Sequence, residues 1–178
     1  VKVGGDAAIS VQSMTKTDTR DIAATVAQIK VLEESGCDII RCAVPDMDAA
    51  KALKEIKKQI RIPIIADIHF HYQLAIEALN SGVDCLRLNP GNIRDRGKVE
   101  TVAREAKLRE VPIRIGVNFG SLPPVGAIGV TGGISRHTDG VNKLPKSGDL
   151  AEGSEYTAVD HMVATGLWEI GILEDLGK

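Results

Sequence analysis

Aromatic side chains are nearly missing from this chain, at 3% of 178 residues. A core without them must be aliphatic, and stacking platforms for single-stranded nucleic acid are not to be expected. No strong charge of either sign is present. The net charge of -2 gives no electrostatic case for DNA, RNA or an anionic membrane. No apolar run approaches the length needed to span a bilayer. No signal peptide is visible, so the cytoplasm is the expected location. The three cysteines, Cys37, Cys42 and Cys85, lack CxxC spacing and suggest neither a disulfide framework nor a zinc site. They read as small core residues. A GxGxxG after the first strand is missing too, which lowers the reading as a dinucleotide fold. The chain opens on Val1, and a longer natural beginning is expected.

What is present is a rhythm of buried strands that end in polar groups. Hydrophobic residues make up 43% and charged residues 26%, an ordinary balance for a globular domain with a core of its own. A first strand is expected at 8–12, followed by a hydroxyl-rich loop at 13–21 in which Thr17 or Asp18 is a natural N-cap. Ile22, Val26, Ile29 and Leu32 keep helical spacing, and Gly36 ends that run. Further strands are expected at 39–44, 64–68, near 85 and near 113. Asp46 is placed to cap a helix whose face is Ala50, Leu53, Ile56 and Ile60. Another helix is expected near 72–79, closed by Gly82.

The pattern Ser35-Gly36-Cys37-Asp38-Ile39-Ile40-Arg41 returns as Ser81-Gly82-Val83-Asp84-Cys85-Leu86-Arg87, 46 residues on, from position 35 to position 81. Arg61-Ile62-Pro63-Ile64 and Glu110-Val111-Pro112-Ile113 echo each other likewise. Two βα units per repeat gives about 23 residues per unit, the rhythm of a parallel sheet. The fold class is therefore α/β. Periodicity alone leaves a (β/α) TIM-like barrel and a doubly wound sheet both open. In the barrel reading, the chain holds about five of the eight βα units of a closed cylinder. Residues 123–156 are rich in Gly and Pro and read as a long insertion or lid. Five units leave two sheet edges unpaired, so strand pairing between chains or aggregation is expected of this chain alone.

An arginine on an apolar strand is expensive to bury without an anion or a carboxylate beside it. Arg41, Arg87 and Arg114 each interrupt such a strand. Asn89, Asn92, Asn118 and Ser121 follow at strand ends, where loops must bend. The plainer reading is that each arginine pairs with an Asp or Glu across the sheet. The functional one is a fan of guanidinium groups around one phosphorylated ligand, since a guanidinium meets phosphate oxygens bidentately. Asp67 and His69 have the look of an acid/base or metal pair at a barrel rim, or of a loop-anchoring hydrogen bond. His71, His137 and His161 read as surface residues. Gly129-Val130-Thr131-Gly132-Gly133 lacks the lysine of a phosphate loop and reads as plain loop.

Five motifs carry a resemblance. They are Ser10-Val11-Gln12-Ser13-Met14-Thr15, then Arg41 with Val44-Pro45, then Ala66-Asp67-Ile68-His69-Phe70. Arg87-Leu88-Asn89-Pro90-Gly91-Asn92-Ile93 follows, and last Ile113-Arg114-Ile115-Gly116-Val117-Asn118 with Gly120-Ser121. In this order the chain resembles the 4-hydroxy-3-methylbut-2-enyl diphosphate synthase family of the non-mevalonate isoprenoid pathway, over roughly residues 3–122 and again in the last helix. The resemblance implies an N-terminal βα barrel that binds 2-C-methyl-D-erythritol 2,4-cyclodiphosphate. It implies a C-terminal domain, absent here, whose 4Fe-4S cluster passes an electron pair from flavodoxin or ferredoxin. The ring then opens and water leaves. It also implies a homodimer in which one subunit's cluster domain covers the other's barrel. The family's cluster ligands have no counterpart in this chain. On this resemblance Arg41, Arg87, Asn89, Asn92, Arg114, Asn118 and Ser121 bind substrate, and Asp67 and His69 serve catalysis. Departures are His71 and Gln73, where the family usually has Asp and Arg, and Phe119, where it usually has Ala. The chain would then be an N-terminal fragment, inactive by itself. Readings from other classes are a phosphate- or diphosphate-binding βα module without redox chemistry, and a pteridine-binding or aldolase-like barrel enzyme.

Overall fold

The computed structural model describes residues 1–69, 71–89, 93, 95–117 and 158–177. Five strands alternate with helices: β1 (Gln12–Met14), α1 (Ile22–Glu34), β2 (Ile39–Val44), α2 (Met47–Lys57), β3 (Ile64–Ile68), α3 (Tyr72–Asn80), β4 (Cys85–Leu88), α4 (Arg96–Leu108) and β5 (Ile113–Ile115). A last helix, α5 (Ala158–Gly177), packs on α4 and β5. All strand pairs are parallel, in the order β1-β2-β3-β4-β5.

The register separates two faces of very different character. Cys42, Ala66, Leu86 and Ile113 share one row, and Val44, Ile68, Leu88 and Ile115 the next. Most of these residues belong to a single aliphatic core with Val26 and Ile29 of α1, Leu53 and Ile56 of α2, Leu74 and Leu79 of α3, and Val99 and Val102 of α4. All four helices thus cover the same face of the sheet. A doubly wound sheet reverses its strand order and carries helices on both faces. The unbroken strand order and one-sided helices select the barrel arc instead.

The sequence repeat has a structural counterpart at the bottom of the sheet. Asp38, just before β2, accepts the N–H of Val11 at 2.8 Å, and Asp84, just before β4, accepts that of Ile64 at 2.8 Å. The prolines repeat as well: the Pro63 carbonyl accepts from Ile40 N, and the Pro112 carbonyl from Leu86 N, each at 3.0 Å. Gly36 and Gly82 end their helices at φ +88 and +81, where only glycine is at ease.

Two expectations need correction. β1 starts at Gln12 rather than near residue 8, because Ile9 is 98% exposed and has nothing to pack on. The cap of α1 is Asp21, whose carboxylate accepts from Ala24 N at 3.0 Å, whereas Asp18 is held by Arg20. The strands are buried on their second face too, at Ile39, Ile65, Asp67 and Arg87, in line with their nearly continuous apolar runs. Their second face holds the polar residues described next.

Candidate anion site on the inner face of the sheet

Residues facing away from the helices are Gln12 and Met14 of β1, Ile39, Arg41 and Ala43 of β2, Ile65 and Asp67 of β3, Cys85 and Arg87 of β4, and Arg114 of β5. Arg87 and Arg114 are direct partners in the ladder, and Asp67 lies beside Arg87 in the same row. Arg41 sits one row lower, level with Met14 and Ile65. The three arginines therefore do not occupy one row, as the sequence repeat suggests. Side-chain length makes up the difference.

Asp67 is the hub. Its side chain is 3% exposed, and it meets Arg87 Nη1 at 3.0 Å, Arg41 Nε at 3.3 Å and His69 Nε2 at 3.4 Å. A buried carboxylate tolerates desolvation only with such partners. One carboxylate thus faces two guanidinium groups. The pairing expected on the plainer reading is present, yet it leaves positive charge in surplus. Arg87 also donates Nη2 to the carbonyl of Gly116 at 3.0 Å. Arg114 adds a third cation and turns away from this hub to donate to Gln12 Oε1. Gln12 belongs to the first strand and Arg114 to the fifth. In a flat sheet, strands spaced about 4.8 Å apart would hold these two much too far from each other to touch. The contact shows how strongly the sheet curls.

The rim is tied together from two loops. Arg20 pairs with Asp18 at 2.5 Å and with Asp46, the cap of α2, at 3.1 Å. The Arg20 hydrogen bonds hold the Asp18 carboxyl at about 2, below its ordinary range. Thr19, buried, donates its hydroxyl to the Ala43 carbonyl at 2.7 Å. Asn89 is 3% exposed at the end of β4, and its carbonyl accepts from Ile93 N at 3.3 Å. Asn92, Asn118 and Ser121 lie outside the described residues, as do Gly129–Gly133 and His137. His71 is exposed and makes no side-chain cap on α3.

Gln12 and Met14 were not legible as site residues. Met14 Sδ lies 3.2 Å from Arg41 Nη2 and 3.4 Å from its Nε. The available signal is the period of two, which puts both on the face that β2 gives to Arg41.

The cysteines do not fit an iron–sulfur cluster. Cys42 faces the helices with no measurable exposure, Cys85 faces inward, and Cys37 is buried with Sγ 3.2 Å from the Ile39 carbonyl. Thiols on opposite faces of a sheet cannot share one cluster. Among the described residues, no three His, Cys, Asp or Glu side chains come together as a metal site. No described helix is long and apolar enough to cross a membrane.

The family model for the GcpE TIM-barrel domain matches residues 1–177. The chain is 67% identical over 121 residues to the 4-hydroxy-3-methylbut-2-en-1-yl diphosphate synthase (flavodoxin) of Dehalococcoides mccartyi, covering 68% of this chain and 35% of that protein. It is 49% identical over 177 residues to the protein of the same name from Geobacter sulfurreducens, covering 99% of this chain and 43% of that one. That second match takes in the Gly/Pro-rich stretch 123–156. The matches span 35% and 43% of the length of these two relatives.

Proposed function

The chain belongs to the GcpE TIM-barrel family, and on that premise we propose that its inner face seats the cyclic diphosphate of methylerythritol. The polypeptide that contains it would convert this substrate to 4-hydroxy-3-methylbut-2-enyl diphosphate. One observation carries the reading: three guanidinium groups, of Arg41, Arg87 and Arg114, share a face on which Asp67 is the single carboxylate among the described residues. Two cations in excess call for a multiply charged anion, and forked donors suit phosphate oxygens.

Roles follow from placement. Arg87, 7% exposed and tied to Asp67, is the fixed point of the cradle. Arg41 and Arg114 are more open to the interior and close on the ligand from either side. Asp67, engaged by both Arg41 and Arg87, orients them. His69, 38% exposed at the end of β3, is better placed to move a proton as water leaves. Asn89, buried just after β4, orients the carbon skeleton, and the same role is proposed for Asn92, Asn118 and Ser121 from the sequence motifs that hold them.

Reductive carbon–oxygen cleavage needs an electron donor that side chains cannot supply. Since the cysteines here do not fit a 4Fe-4S cluster, its ligands belong to other parts of the polypeptide. Flavodoxin, part of the relatives' names, or ferredoxin would feed it, and a homodimer would bring a cluster domain over this face. A cytoplasmic setting suits such carriers.

Titration calorimetry of the polypeptide that contains this barrel segment with the cyclic diphosphate tests the reading. Binding is expected, and Arg41→Ala, Arg87→Ala and Arg114→Ala are each expected to weaken it by about tenfold or more. Affinity unchanged in all three variants would refute the shared site. Binding without any turnover once the rest of the polypeptide and a reductant are present would favour the module without redox chemistry.

A further inference from the structure

We propose that Gly116 is a positioning residue: the missing side chain at this position is the slot in which the Arg87 guanidinium lies. The inference rests on the anion-site reading above and adds to it the element that aims the deepest arginine. A Cβ built on Gly116 would fall on Nε, Cζ and Nη2 of Arg87. The overlap is with the guanidinium itself rather than with the flexible stem. That group has little room to give way, because Nη1 is held by Asp67 at 3.0 Å and Nη2 by the Gly116 carbonyl at 3.0 Å. The backbone cannot retreat freely either, since Gly116 N donates to the Leu88 carbonyl at 2.8 Å and extends the β4–β5 ladder.

Conformation does not demand glycine at this point. Gly36 and Gly82 occupy the left-handed region, and Gly116 does not. The three atoms nearest to such a Cβ all belong to Arg87, so it is this side chain that a substitution meets first. The three contacts form a flat pocket: carboxylate on one edge, carbonyl on the other, and a bare Cα against the guanidinium. Such a pocket fixes the plane of the guanidinium, and with it the orientation in which a phosphoryl group is received.

The test is a double-mutant cycle in the whole polypeptide that contains this barrel segment, read by pyrophosphate affinity and by thermal unfolding. Arg87→Leu keeps much of the stem and removes the guanidinium. Arg87→Leu and Gly116→Ala are each expected to weaken pyrophosphate binding roughly tenfold or more, and the double variant no further. Gly116→Ala is expected to lower the melting temperature when Arg87 is present and to change it little when combined with Arg87→Leu. A Gly116→Ala chain that fails to fold, restored by the second substitution, gives the same answer. The proposal is overturned if Gly116→Ala keeps full affinity, or if its thermal cost is undiminished by Arg87→Leu. If Arg87→Leu leaves affinity unchanged, the anion-site reading fails at this residue, and the thermal cycle still decides on Gly116.

Discussion

Asp67 stands between two cations and has almost no access to water. Its carboxylate therefore does two opposed things: it makes burial of the arginines tolerable, and it lowers the charge left for a ligand. Asp67→Asn keeps the shape and removes the charge. The expected result is a loss of about 3 kcal/mol in stability, because two guanidinium groups lose their counter-ion. Added pyrophosphate should recover more melting temperature in the variant than in the parent. Thermal scans with and without the anion check both parts, and a variant as stable as the parent would contradict the hub. At Cys42, burial pushes the thiol up to about 11 from an ordinary 9.0, the neighbouring Thr15 hydroxyl pulling a little the other way. Below pH 9 the thiol is protonated in folded and unfolded chains alike, and stability is intact. Between pH 9 and 11 the unfolded chain gives up its proton first, so stability falls. Melting temperatures at pH 8 and 10.5 should drop less for Cys42→Ala than for the parent.

Among the elements, those marked by an acidic cap and a clean apolar face were the easiest to read. Asp46 caps α2 as its spacing suggests, accepting from Ala49 N at 2.9 Å. It also anchors Arg20, so Asp46→Ala is expected to cost about 1 kcal/mol from the helix and to loosen the neighbouring loop. Denaturant unfolding measures the first effect, and protease cleavage near residues 16–20 the second. Other elements escaped for physical reasons. The cap of α1 was placed too early because Asp18 and Asp21 are both competent, and only the Arg20 contact decides between them. α4 is masked in sequence by the lysines, arginines and glutamates that crowd it. Its signal is nevertheless present: Val99, Val102, Ala103 and Ala106 keep helical spacing and are all buried. The arginine strands were legible as polar interruptions, but their relative heights were not. Registers depend on tertiary pairing, and a repeat in sequence fixes only the length of each unit.

For the whole molecule, period and repeat were enough to establish a parallel α/β architecture, and not enough to choose between barrel and doubly wound sheet. That choice depends on where the crossovers run, which no local pattern encodes. The structure decides it by placing α1 to α4 against one face. A side effect of this division concerns how the chain finds its way during folding. Shift β3 by a single residue against its neighbours, and Asp67 would enter the aliphatic layer while Ile68 took its place among the guanidinium groups. Each such slip exchanges a satisfied ion for a stranded one. The groups that await a ligand in the finished protein would then act earlier as proofreaders of its assembly, rejecting misaligned strands before any ligand is met.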